Sequence, residues 1–341
     1  MSSVLNIDRF IIPNDIIISL CKIYEHIGKN EIYDDTLNPD LDKIIEQTVE
    51  RDTFFLALIL GLEISDSRMR LIITKDSSFR TKEESILYYA KETLLSIQKK
   101  HENIRFQSND ILYMLNYVYK QYNPIKFSYI PLEKRSVLQS QDKRSKRVIL
   151  DEITECVENH MNKQSYELIT LFTHFFVDFY NLEPFDNENL CASYILLYLL
   201  IMKSHLYAFR YISFFEVLYN NLKDFQTELK NASYQWKEGY PQVVGFLRVI
   251  CKIIDEGYEK TENVIKEYKF DQNLSKGDNI EVTIAKLPEI FTKEEIRLKH
   301  PYVSESTINR ALMKLRDENR IKPLGKGRSA KWIKITRGYN N

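Results

Sequence analysis

Apolar residues recur at three- and four-residue intervals through most of this chain, the mark of helices with one buried face. After Pro13, Ile16, Leu20, Ile23 and Ile27 outline one such helix, and Leu41 opens another beyond the Asn38-Pro39-Asp40 turn. The segment 54–62 reads as buried and ends on a carboxylate, Glu63. Thr81-Lys82-Glu83-Glu84 has the form of a capping box, followed by Ile86, Ala90, Leu94 and Ile97 on one face. Ile111, Leu115 and Val118 mark the next helix, and 150–161, 214–229 and 243–258 are three more amphipathic segments. Between them, Lys126-Phe127-Ser128-Tyr129-Ile130 alternates like an edge strand, with basic residues up to Arg147 around a polar tip.

The pattern changes at 165–207. There an apolar helix ends near Asn181, the polar turn Glu183-Pro184-Phe185-Asp186-Asn187-Glu188-Asn189 follows, and an almost uninterrupted apolar helix starts at Leu190. Helices apolar on most sides must be buried, so the turn is held rigidly between them. A rigid turn that opens a helix presents free backbone N–H groups, which suits an anion.

This stretch resembles the Fic domain, whose signature His-Pro-Phe-x-(Asp/Glu)-Gly-Asn-Gly-Arg-x-x-Arg joins two buried helices. Laid on without gaps, the signature covers 183–194, and Pro184, Phe185 and Asn189 match it. The run Leu171-Phe172-Thr173-His174-Phe175-Phe176 also looks like the family's helix. The resemblance implies a mainly α protein: a helical bundle with a short β-hairpin flap at 126–147, which would dock a protein target. It also implies transfer of AMP from ATP to a protein hydroxyl, with Mg²⁺ as cofactor. In the family a His is the base, glycines let the backbone approach phosphate, a carboxylate binds the metal, and arginines hold the phosphates.

Here Glu183 stands in the position of the catalytic His and Asn187 in that of the metal-binding carboxylate. Glu188 and Leu190 replace the two glycines, and Cys191 and Tyr194 the two arginines. The anion-loop positions are therefore Asn187, Glu188, Asn189, Leu190 and Cys191. An added carboxylate repels phosphate, by roughly 4 kcal/mol for two unit charges about 4 Å apart at an effective dielectric of 20. No guanidinium remains to offset it. The expectation is a Fic-like core that has lost its chemistry. ATP and Mg²⁺ are implied only if that activity survives. Some Fic proteins block their own site with a Glu from a separate helix, and Glu63 is the candidate for that inhibitory position.

At the other end, Phe291-Thr292-Lys293-Glu294-Glu295-Ile296 is a second capping box, and Ser304 caps a helix carrying Ile308, Leu312 and Leu315. A glycine-tipped hairpin ends in the alternating Lys331-Trp332-Ile333-Lys334-Ile335. Helix, turn, helix and hairpin resemble a winged helix-turn-helix. Its DNA-contact candidates are Ser306, Thr307, Asn309 and Arg310 on the helix and Lys326 and Arg328 at the wing tip. The expected organisation is an N-terminal helical region 1–120, a Fic-like core 121–262, a linker 263–285 and a winged helix-turn-helix domain 286–338.

Composition changes little. The 341 residues suffice for more than one domain, and 48 basic residues balance 48 acidic ones, so only local charge can point to a partner. Cys21, Cys156, Cys191 and Cys251 form no close pair, which reads as free thiols in a reducing cytoplasm. The longest apolar run is too short to span a bilayer, so no membrane partner is expected. A protein target at the flap, DNA at 286–338 and a homodimer all stay open, as do an enzymatic and a purely binding role.

Overall fold

The computed structural model describes residues 2–75, 77–131, 143–239, 241–272, 276–300, 303–325 and 330–335. It is mainly α, with two small antiparallel sheets. In chain order the helices are α1 (Asn14–Ile27), α2 (Asn30–Leu37), α3 (Leu41–Leu60), α4 (Asp66–Lys75), α5 (Lys82–Lys100) and α6 (Ser108–Val118). The strands β1 (Tyr129–Pro131) and β2 (Lys143–Ser145) come next. Then follow α7 (Lys146–Lys163), α8 (Leu168–Leu182), α9 (Asn189–Lys203), α10 (Ala208–Tyr211), α11 (Phe214–Asn220), α12 (Leu222–Ser233), α13 (Val243–Gln272) and α14 (Lys276–Lys286). The chain closes with β3 (Ile290–Thr292), α15 (Lys293–Lys299), α16 (Glu305–Asp317), β4 (Ile321–Pro323) and β5 (Lys331–Lys334).

Two compact units divide the chain within α3 and α13: residues 1–30 with 48–260, and residues 31–47 with 261–341. In the larger unit, α8 and α9 supply the centre of the core. Every α9 residue from Cys191 to Met202 is buried, as are most of α8. Phe176 lies 5.8 Å from Phe246 and 6.2 Å from Phe225, ring centre to ring centre, and Tyr198 stacks on Phe215 at 5.4 Å. Gly257 of α13 makes room for this packing. A Cβ there would stand 2.6 Å from the buried Phe209 ring, closer than carbon atoms approach without displacement.

Several polar groups inside this core are paired. Asp52 is fully buried and accepts hydrogen bonds from Tyr198 (2.9 Å), Ser213 (2.8 Å) and the Phe215 N–H (2.8 Å), closing the first turn of α11. Burial raises its carboxyl to about 7. Gln98 donates both to Tyr198 (2.7 Å) and to the Phe209 carbonyl (2.8 Å). Asp178 of α8 accepts from Ser2 Oγ, the Ser3 and Val4 N–H groups and Trp236 Nε1, at 2.6 to 2.9 Å. His174, a turn away from Asp178, meets Ser3 Oγ at 2.5 Å rather than that carboxylate. Burial lowers its imidazole to about 4.

The smaller unit is built on one apolar cluster: Ile280, Ile284, Leu287, Phe291, Ile296, Val303, Ile308, Leu312, Leu315, Ile321 and Trp332 among its members. Its sheet runs β3-β5-β4, antiparallel throughout. The Thr292–Glu295 capping box opens α15 as the spacing indicates. By contrast Glu84 does not reach back to Thr81: it binds the Arg68 guanidinium and the Arg80 N–H instead. Only the Thr81 half of that cap forms.

The stretch 263–285, expected as a linker, is largely helical: α13 continues to Gln272 and α14 starts at Lys276. Its apolar stripe is sparse, but Ile265, Tyr268, Ile280 and Ile284 are buried, and four such contacts outweigh a polar average. The segment 214–229 is two helices, not one. The break is at Asn221, whose amide donates to the Val217 carbonyl (3.0 Å) and Glu256 (2.9 Å).

Candidate functional site

The turn between α8 and α9 is fixed by local chemistry. Glu183 ends α8 in the left-handed conformation, φ 45°, and Glu188 precedes α9 in the same conformation, φ 60°. Asn189 closes the loop between them: its Oδ1 accepts from the Phe185 N–H (3.0 Å) and its Nδ2 donates to the Phe185 carbonyl (2.8 Å). Pro184 and Phe185 are buried, and the Phe185 ring packs on Phe127 (5.4 Å) and Phe179 (6.0 Å). Only Asn, with an acceptor and a donor on one short side chain, satisfies both backbone groups at once.

The segment 126–128 lies along the turn as a strand would. The Ser128 N–H donates to the Pro184 carbonyl and the Asp186 N–H to the Lys126 carbonyl, each at 2.9 Å. Lys126 N–H returns a bond to Asp186 Oδ1 at 3.0 Å. Immediately beyond, β1 and β2 pair antiparallel, Tyr129 opposite Ser145. A hairpin base therefore abuts the turn, in the place expected for a flap; its centre, 132–142, lies outside the described residues. Pairing of Lys126 and Ser128 with the turn was not foreseen from sequence. The available signal was Phe127, an aromatic able to meet Phe185 across a strand pair.

Charged groups of both signs lie around the loop. Glu188 accepts from Tyr119 OH at 2.6 Å and lies 3.9 Å from the Lys82 ammonium. It makes no side-chain cap on α9, so its charge adds to the helix start without occupying the N–H groups. Burial, then the neighbouring Cys191 and Glu188, drive the Tyr119 phenol far up, so it serves as a donor. Cys191 is buried and its thiol is pushed up to about 12 by burial. Tyr194 is likewise buried, 6.4 Å from both Phe215 and Phe225, with its phenol raised to about 12 by the same cause. Both positions point their side chains into protein, not toward a ligand. Leu190 is 48% exposed, and Glu183 and Asn187 are exposed. Lys146 Nζ donates to the Glu183 carbonyl at 2.9 Å, which fixes the backbone there and leaves the Glu183 carboxylate outside.

Glu63 is exposed in the loop between α3 and α4, where Leu62 and Ile64 pack against an apolar cluster of α3, α4 and α5. The side chains that bond the turn from outside it are Lys82, Tyr119, Ser128 and Lys146, and among the described residues Glu63 is not one of them. In the smaller unit, Ser304 caps α16 through the Thr307 N–H (3.2 Å). Ser306 and Arg310 are exposed, whereas Thr307 and Asn309 are half-buried. Lys326 and Arg328 lie outside the described residues. Glu281 binds Lys314 (2.6 Å) and Arg320 (2.8 Å), so part of the local basic excess is already neutralised. No group of three or more His, Cys, Asp or Glu residues suited to a metal ion occurs among the described residues. No helix among them is long and apolar enough to cross a membrane.

No family model matches the chain, and no curated protein does. Among solved structures, the crystal structure of a Fic family protein from Desulfovibrio desulfuricans G20 superposes with a TM-score of 0.56 at 12% identity. The superposition covers 96% of this chain and 98% of the other. The fold is Fic-like. Within that Fic-like fold, the turn 183–189 links the buried helices α8 and α9, and Glu188 holds a left-handed backbone at the start of α9.

Proposed function

We propose that this protein is a catalytically degenerate member of the Fic-fold group that acts through binding and regulation. The observation that carries the reading is Glu188: a carboxylate at the start of α9, held by Tyr119 at 2.6 Å, where a triphosphate would need glycine and positive charge. The supporting observations are Tyr194 and Cys191, whose side chains belong to the core. ATP and Mg²⁺ do not fit the residues present. Asn187 offers an amide oxygen where a hard cation favours a carboxylate, and the turn 183–189 contains no histidine to act as a base. The test is incubation of the purified protein, alone and with cell lysate, with α-labelled ATP and Mg²⁺. Label on no protein above the level of a Glu183→Ala control is the expected result; label that depends on Glu183 would reverse the reading.

A second reading assigns DNA binding to the smaller unit. The order α14, β3, α15, α16, β4, β5, with β5 between the other two strands, supports a winged-helix reading. It leaves Arg310 exposed on α16, the helix that would enter the major groove. Fluorescence anisotropy with duplex DNA across a salt series tests it. Affinity that falls with salt and drops in Arg310→Ala supports the reading; a salt-independent signal, or one unchanged by the substitution, opposes it.

A further inference from the structure

The helix α1 is apolar on two sides. Its inner stripe, Ile16, Leu20 and Ile23, is buried in the larger unit. At the same helical spacing, Ile17, Ile18, Cys21 and Tyr24 face outward. Ile17 is 44% exposed, Ile18 71% and Tyr24 43%, and Cys21 is exposed as well. Ile11, three residues before the helix starts, is 85% exposed. Among the described residues of the larger unit, every exposed isoleucine lies at 11, 17 or 18. A surface helix ordinarily turns polar groups outward, and one that is apolar on both sides suits a layer between two packed bodies. Large apolar side chains gathered in one place, rather than scattered singly, mark an interaction surface.

The border of the stripe narrows the kind of body that covers it. Asp15 binds Arg248 (2.6 Å), Lys22 binds Asp255 (2.7 Å) and Lys29 binds Glu25 (3.4 Å). Of the other neighbouring charges, Asp8 and Arg9 cancel, and Glu259, 3.7 Å from Lys22, adds one acid. The border is therefore within one charge of neutral. An anionic membrane surface draws helices with a surplus of Lys and Arg on the polar face, and a strongly charged protein partner needs the opposite excess. This border offers neither. A two-fold contact sets a surface against the same surface of the other copy, and a near-neutral border permits that without like-charge repulsion.

We propose that the outer stripe of α1 is the interface between two copies of this chain, related by a two-fold axis that crosses it near Cys21. The stripe runs from Ile17 to Tyr24 with Cys21 near its middle, so a two-fold perpendicular to the helix sets the two copies of α1 antiparallel and brings Cys21 beside its counterpart. A helix of 14 residues is about 21 Å long. With Ile11 beside it, the contact falls at the small end of specific interfaces, which suits a dimer of roughly micromolar strength.

The test is sedimentation equilibrium of the full chain from below to well above micromolar concentration. The expected result is a reversible monomer–dimer equilibrium, weakened about a hundredfold in Ile18→Asp, which sets like charges across the axis. Ile18 is a surface residue, so this variant keeps the thermal midpoint of the parent. Tyr113→Asp, at an equally exposed position on α6, leaves the dimer unchanged. A short bismaleimide joins two parent chains and fails to join Cys21→Ser. A chain that stays monomeric throughout overturns the proposal, and flotation of that monomer with anionic vesicles would assign the stripe to a membrane instead. A dimer that Ile18→Asp leaves intact, that Tyr113→Asp weakens equally, or that the bismaleimide does not join through Cys21 overturns it too.

Discussion

The helices α8 and α9 and the turn that joins them obey different rules. The helices are apolar nearly throughout, and buried polar groups such as Asp178 and Tyr198 are paired. The turn is polar, half-exposed and held by backbone bonds: Asn189 to Phe185, Ser128 to Pro184, Asp186 to Lys126. Shape in the turn depends on Pro184, Phe185 and Asn189 and on the left-handed backbone at Glu183 and Glu188, whereas its charge sits on exposed or half-exposed side chains. The Fic-like fold is present at 12% identity to its structural neighbour.

The largest expected effect comes from forcing the signature's chemistry back onto a helix. Tyr194→Arg places a guanidinium in the buried position beside Phe215 and Phe225. Urea unfolding should show a loss of roughly 3 kcal/mol or more. Little or no loss would mean that the side chain at 194 can reach the loop, and the helices and the turn would not be separable.

A pH titration probes the helix side alone. His174 has its imidazole depressed to about 4 by burial, against an ordinary value near 6.5. The folded form then binds fewer protons than the unfolded chain between those values. Its contribution to stability is full above about pH 6.5 and is lost as pH falls toward 4, by roughly 2–3 kcal/mol. Asp52, raised to about 7, works in the opposite sense over part of the same window, since its fold-stabilised form is the protonated one. Comparison with His174→Gln isolates the histidine: the gap between parent and variant should move against the parent as the solution is acidified. A constant gap would show that burial leaves the His174 imidazole at its ordinary value.

The smallest effect is expected in the turn. Glu188→Gly relieves a left-handed residue, a gain of about 1 kcal/mol, and removes the bond from Tyr119, a loss of similar size. The thermal midpoint should hardly change. A loss comparable with Tyr194→Arg would make Glu188 a structural residue, and the contrast between the two regions would fail.

Much of the fold could be read from the residues because burial imposes periodicity. The α8–α9 pair, the helix capped by Ser304 and the capping box at Thr292 were all evident that way. What escaped reading depends on contacts distant in sequence. Asp178 holds Ser2, Ser3 and Val4, some 175 positions away, and nothing near either end announces it. Glu84 had two competing partners, Thr81 nearby and Arg68 across a helix pair, and the charged one prevails, as a guanidinium forms the stronger bond. In the turn, the substitutions at 183, 187 and 188 were plain, but the role of Asn189 was not: the side chain matching the Fic signature serves here to tie the loop to Phe185.

Calorimetric titration of the intact chain with ATP and excess Mg²⁺ tests the central claim most directly. The account predicts no saturable heat at millimolar nucleotide, with the same result for Asn189→Ala as for the parent. Stoichiometric binding to the parent that disappears in Asn189→Ala would contradict it, because the turn would then be holding a triphosphate despite Glu188.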